Sequence, residues 1–168
     1  MYEELLSRWN KKITNGDKVY ILGDISMKGR NDLLIALVAQ LKGRKVLIQG
    51  NHDDLSDYRL KQLFSEILNY KELSDLYEGK NYKLVLRHYP ILMWNGQHKG
   101  SILLYGHTHV TREDDYFQSC ISNMKEQFFE NRDGAYDVTA INVGCMMPYM
   151  NYEPRSLKEL LESKNTKE

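Results

Sequence analysis

The chain has 168 residues, 42% of them hydrophobic, and its 23 basic side chains match its 23 acidic ones for a formal net charge of +0. That length and apolar content suit one domain, spanning 1–168, with a real core, and they exclude a disordered chain. The charge balance disfavours nucleic acid as a partner, because such affinity rests on neutralising phosphates. No run approaches the ~20 apolar residues of a membrane helix, and the acidic start Tyr2-Glu3-Glu4 is no secretory leader. Two cysteines, Cys120 and Cys145, fit a reduced cytoplasm better than a disulfide framework.

Leu5, Leu6, Trp9 and Ile13 recur at helical spacing before Asn15-Gly16-Asp17 stops the helix. A short apolar run, Val19-Tyr20-Ile21-Leu22, then ends at Gly23-Asp24. Asn31 is a good N-cap for a helix through Leu34, Leu37 and Val38 toward Gly43. A second run, Val46-Leu47-Ile48, leads into Gly50-Asn51-His52-Asp53, and 58–68 reads as an amphipathic helix. Segments 71–77 and 82–87 form a hairpin around Glu78-Gly79-Lys80-Asn81, ending at His88. Tyr89, before Pro90, is extended. Ile102-Leu103-Leu104-Tyr105 is a further strand, closed by Gly106-His107-Thr108-His109. The polar stretch 110–137 reads as a helical insertion with its helix around 121–129, 138–143 as a late strand, and Ser156 as the cap of a final helix.

The organising feature is repetition. Apolar strands end in turn at Asp24, Asn51, His88 and His107, and strand C-terminal ends are where open α/β sheets build their sites. Imidazole, carboxylate and amide oxygen together form a borderline donor set suited to a divalent transition metal rather than to calcium. A carboxylate such as Asp24 has two oxygens and can bridge two ions; ions ~3.5–4 Å apart can hold an in-line displacement between them.

Gly23-Asp24, Gly50-Asn51-His52-Asp53, His88 and Gly106-His107-Thr108-His109, in that order, resemble the motifs of the calcineurin-like metallophosphoesterases. Asn142-Val143-Gly144 and the helix near Leu160 also resemble small bacterial and phage-type members. The resemblance implies a four-layer α/β sandwich, two mixed sheets face to face with helices outside. It implies a binuclear centre in which Asp24 bridges, Asn51, His88 and His107 complete the second metal's set, and His109 serves the first. His52 would assist the leaving group, with Asp53 orienting it. The implied activity is hydrolysis of a small phosphomonoester or phosphodiester by a metal-activated hydroxide. The implied cofactor is one or two divalent transition ions, manganese foremost, with iron, zinc, nickel or cobalt as alternatives.

One departure stands against the match. Family members begin with a strand ending in Asp-x-His, which ligates the first metal, and no histidine precedes His52 here. The expectation is therefore a sandwich lacking the family's first strand, with Met1 internal to the family's domain and the first metal left with Asp24 and His109. An opened sheet edge favours homodimers. The missing ligands also motivate an alternative: a catalytically impaired scaffold that binds a protein partner. Trp94 reads as packing, His98 as a loop residue, Lys28 and Arg30 as exposed bases, and Tyr116, Phe117, Phe128 and Phe129 as a small satellite core.

Overall fold

The computed structural model describes residues 2–25, 31–128 and 138–165. Helix α1 (Tyr2–Lys12) turns Trp9 inward against Val19 and Leu41, and the Trp9 indole donates to the Lys42 carbonyl at 2.9 Å. Strands β1 (Lys18–Ile21), β2 (Arg44–Ile48) and β3 (Glu66–Leu68) form one sheet in that order, with α2 (Asn31–Gln40) and the single turn α3 (Tyr58–Lys61) on its outer face. All its pairings are parallel, so this sheet is not the mixed one expected. The second sheet runs β4 (Tyr70–Tyr77), β5 (Lys80–Arg87), β6 (Ile102–Tyr105) and β7 (Thr139–Asn142). It is mixed: β4 and β5 are an antiparallel hairpin, and β5, β6 and β7 are parallel. The hairpin turn is tighter than expected, because Glu78 and Gly79 both take positive φ (49° and 75°), as a two-residue turn requires.

Strand alternation sorts the side chains into layers. Tyr20, Ile48 and Leu68 from the first sheet meet Leu84, Leu86, Ile102, Leu104 and Ile141 from the second in a central core. Leu47 and Ile67 face the opposite way onto Val38, Leu60 and Phe64. Val85, Leu103, Tyr105 and Ala140 face outward onto Trp94 and onto Phe117 and Ile121 of α4 (Arg112–Phe128). The result is helices, sheet, sheet, helix. The final helix α5 (Leu157–Asn165) packs Leu157 and Leu160 into the central core, its start fixed by a reciprocal Ser156–Glu159 capping box.

Two expected helices differ. The 58–68 segment is helical for one turn only; Ser65 then bonds the Lys45 carbonyl through both N–H (2.8 Å) and hydroxyl (3.0 Å), which draws the chain alongside β2 as β3. Helix α4 begins at Arg112, well before the expected 121, and carries an acidic first turn of Glu113, Asp114 and Asp115 that suits a helix N-terminus. Trp94 is buried packing, as expected; His98 is exposed but lies in a single 3-10 turn (Gln97–Lys99) rather than a loop; Phe117 is buried but Tyr116 is exposed. Lys28, Arg30, Phe129 and the Phe128 side chain lie outside the described residues.

Candidate metal centre

The parallel strands β1 and β2 of one sheet and β5 and β6 of the other end on the same side of the sandwich. Their next residues meet across the gap between the sheets. The His88 ring, 2% exposed, donates from Nδ1 to the Leu22 carbonyl at 2.7 Å. A carbonyl only accepts, so this bond fixes the tautomer and leaves Nε2 with a lone pair. Around that nitrogen lie Asn51 Oδ1 at 3.0 Å, His107 Nδ1 at 3.2 Å and Asp24 Oδ2 at 3.3 Å. Asp24, His88 and His107 each present a ligand atom within 4.8 Å of the others.

These contacts cannot all be hydrogen bonds. One proton on His88 Nε2 would serve a single neighbour and leave the remaining lone pairs facing one another. Asp24 Oδ2 is buried and without a hydrogen-bond partner, a costly arrangement in a low-dielectric site unless a cation shares it. A divalent ion of borderline softness fits the convergence, since every group offered is a metal donor. Burial first, and His88 second, hold the His107 pKa below its ordinary value, which favours the neutral form a ligand needs.

The backbone is shaped for this closeness. Asp24, His107 and His109 take positive φ (52°, 66° and 48°), a conformation non-glycine residues hold only where the surroundings over-determine it. Gly23 and Gly50 let the β1 and β2 ends approach: a Cβ on Gly23 would lie 2.5 Å from His88 Nδ1, and one on Gly50 2.8 Å from His88 Cε1. Asp53, 8% exposed, binds the two loops together. Its Oδ2 accepts from the N–H of Gly50 (2.7 Å) and Asp24 (3.1 Å), and its Oδ1 from Ile25 N–H (2.9 Å). Both oxygens thus engage loop backbone. The His52 N–H donates to Asp24 Oδ1 at 3.0 Å, and the residue is exposed beside the cluster. His109 is half-buried and not part of the Asp24–His88–His107 group; its carbonyl accepts from the Asn142 amide at 3.2 Å.

Two neighbours escape a reading by motif. Tyr89 covers the cluster, its ring 4.4 Å from the His107 ring centroid and 5.1 Å from that of His88. Only its place before Pro90 stood out in the sequence, which says nothing of a ring against the site. Asp114, 8% exposed, lies behind the His107 loop and sits in the polar stretch expected to be a helical insertion.

A two-sheet α/β sandwich with a histidine, carboxylate and amide cluster at one strand edge is the architecture of a metal-dependent phosphoesterase. The calcineurin-like phosphoesterase model matches residues 2–114, and the chain belongs to that family of metal-dependent enzymes. It is 33% identical to the gene 66 protein of Mycobacterium phage D29 over 62% of this chain and 64% of that protein. An uncharacterized protein of Methanocaldococcus jannaschii is 29% identical over 69% of this chain and 57% of its own length. The chain thus spans less than two thirds of the curated relatives it matches. A crystal structure of a protein of unknown function from Aquifex aeolicus shares the fold, with a TM-score of 0.64, 23% identity, and 96% of this chain and 84% of that one covered. Among the described residues no helix is long and apolar enough to cross a membrane.

Proposed function

We propose that this chain hydrolyses a small phosphomonoester or phosphodiester at the cluster, with Asp24, Asn51, His88 and His107 holding a divalent transition ion, manganese foremost. The supporting observation is the meeting of four lone-pair donors from four strand ends, three of them around His88 Nε2 and one of those an orphaned, buried carboxylate oxygen. When bound, such an ion withdraws charge from the phosphoryl oxygens and acidifies the attacking water.

The chain's own groups supply the rest. The Leu22 carbonyl keeps the proton on His88 Nδ1, so Nε2 stays available as a donor. The His52 N–H holds Asp24 Oδ1, which turns Oδ2 toward the centre. The His52 imidazole, exposed one residue beyond Asn51, gives its proton to the departing oxygen. Tyr89 screens one side of His107 from water. His109, in the loop that carries His107, would hold a second ion together with Asp24 if one binds. The test is hydrolysis of an aryl phosphate and a bis-aryl phosphodiester with manganese or magnesium after chelation. Manganese should support turnover better, because nitrogen ligands disfavour a hard cation. Equal turnover with and without metal would remove the reading.

A further inference from the structure

Behind the loop that carries His107 and His109 lies a buried polar chain centred on Asp114, a residue outside the phosphoesterase motifs. Asp114 Oδ1 accepts from the Tyr105 hydroxyl (2.7 Å), the Thr108 hydroxyl (2.8 Å) and the Asn142 amide (2.9 Å). Each donor is itself directed. Tyr105 accepts from the Gln118 amide at 2.8 Å, Asn142 Oδ1 accepts from the Gly144 N–H at 2.9 Å, and the two Asn142 amide protons are divided among Asp114, the His109 carbonyl and, 3.2 Å away, Thr108 Oγ1. A carboxylate cannot donate, so every hydroxyl and amide in the chain has one forced orientation. Tyr105, Thr108, Asp114 and Asn142 are 0%, 5%, 8% and 1% exposed, so water does not compete for these bonds.

The chain grips the one stretch of the site that is strained on both sides of a single residue. Thr108 stands between His107 and His109, which both take positive φ, and its hydroxyl is pinned to Asp114. The same Asn142 amide that reaches Asp114 also holds the His109 carbonyl. We infer that Asp114, through Thr108 and Asn142, is the positioning residue that holds the His107–His109 loop in its metal-binding conformation. This rests on the metal-site reading above. It assigns to α4 a role in the site: its first turn buttresses a ligand loop and is more than a solvated insertion.

The test is cobalt binding, followed by calorimetry and by the visible absorption of bound Co²⁺, for the wild type and for Asp114→Ala, Thr108→Val and Asn142→Ala. Outer partners of metal ligands typically control affinity by about 10- to 100-fold, and Asp114→Ala should weaken cobalt by that much and alter the visible band. Thr108→Val keeps the side-chain shape, so it folds even where Asp114→Ala does not, and should weaken cobalt in the same direction. Val38→Ala, cut from the core on the far face of the other sheet, serves as a control for general destabilisation. If Val38→Ala weakens cobalt as much at an equal loss of melting temperature, or if Thr108→Val and Asp114→Ala bind like the wild type, the positioning role is wrong. Failure of the wild type itself to bind cobalt would overturn the metal reading and this role together, whereas binding without hydrolysis would count against the catalytic reading alone.

Discussion

Asp53 gives the sharpest test of how the site is built. Its carboxylate satisfies three backbone N–H groups, those of Gly50, Asp24 and Ile25, and the Gly50 donor is buried. Asp53→Ala leaves all three unpaired. Taking about 2 kcal/mol for the buried donor and about 1 kcal/mol for each of the two partly exposed ones gives a loss of about 4 kcal/mol. In urea that moves the unfolding midpoint down by about 2 M at an ordinary slope for a domain of this size. Asp53→Asn should rescue part of the loss, because its amide oxygen can keep the Gly50 and Asp24 donors while its NH₂ is left facing the Ile25 N–H. Metal affinity should fall with stability, since Asp24 and Asn51 hang from the two loops that Asp53 clips. Equilibrium unfolding of the metal-free protein and a cobalt titration measure both quantities. If Asp53→Ala keeps its midpoint and its metal yet loses turnover, the carboxylate acts on His52 directly and the clip reasoning is refuted.

The other expectations are more local. Asp24→Asn removes the charge from a carboxylate whose buried Oδ2 has no hydrogen-bond partner and keeps an oxygen for the His52 N–H, so the metal-free variant should melt no lower than the wild type, while manganese should no longer stabilise it. For the wild type, manganese at 100 times its dissociation constant adds about 2.7 kcal/mol, or roughly 5–10 °C, readable by thermal shift. His52→Gln should keep its metal by elemental analysis and lose about 10²- to 10⁴-fold in turnover; unchanged turnover would remove its role. Glu159 is opposed by burial, but the Lys12 ammonium and the Ser156 N–H and hydroxyl pull its pKa down to about 2 from 4.5. A depressed carboxylate stabilises the fold fully above pH 4.5 and loses that contribution as pH falls toward 2. The wild type should therefore exceed Glu159→Gln by about 1 kcal/mol at pH 7, after allowance for solvent screening, and by much less at pH 3, in urea titrations at both pH values.

How much of this was legible in the sequence depends on which force set each element. The strand-end residues were readable because each follows an apolar run with a turn signal, and burial plus chain direction then bring the run ends to one edge. Segment 58–68 was misread for the opposite reason. Leu60, Phe64, Ile67 and Leu68 satisfy helical spacing, yet Ile67 and Leu68 serve opposite faces of the first sheet, Ile67 packing with Leu47 and Leu68 with the central core. What decided the outcome was the open edge of β2, whose Lys45 carbonyl takes Ser65, and no local pattern encodes a pairing partner twenty residues away.

The same division runs through the site. Its proposed ligands stand out because metal donors at successive strand ends are rare and ordered. The carboxylates that hold the ligands are ordinary acids in ordinary turns. Asp53 stands two residues beyond Asn51, and the resemblance implies that it orients His52, while its oxygens reach the backbone of the β1 loop. Asp114 opens a helix in a polar stretch and reaches back to Thr108 and across to Asn142. Each carboxylate braces one ligand loop that the backbone would otherwise leave, the first at Asp24 and the second at His107 and His109, all of them at positive φ. If bracing is what these two acids do, their removal should loosen separate halves of one centre. Asp53→Ala would then disturb the ligands from the first sheet, and Asp114→Ala those from β6. Measured together in cobalt affinity, the two losses should combine less than additively, because a centre that has lost one half gains little from order in the other.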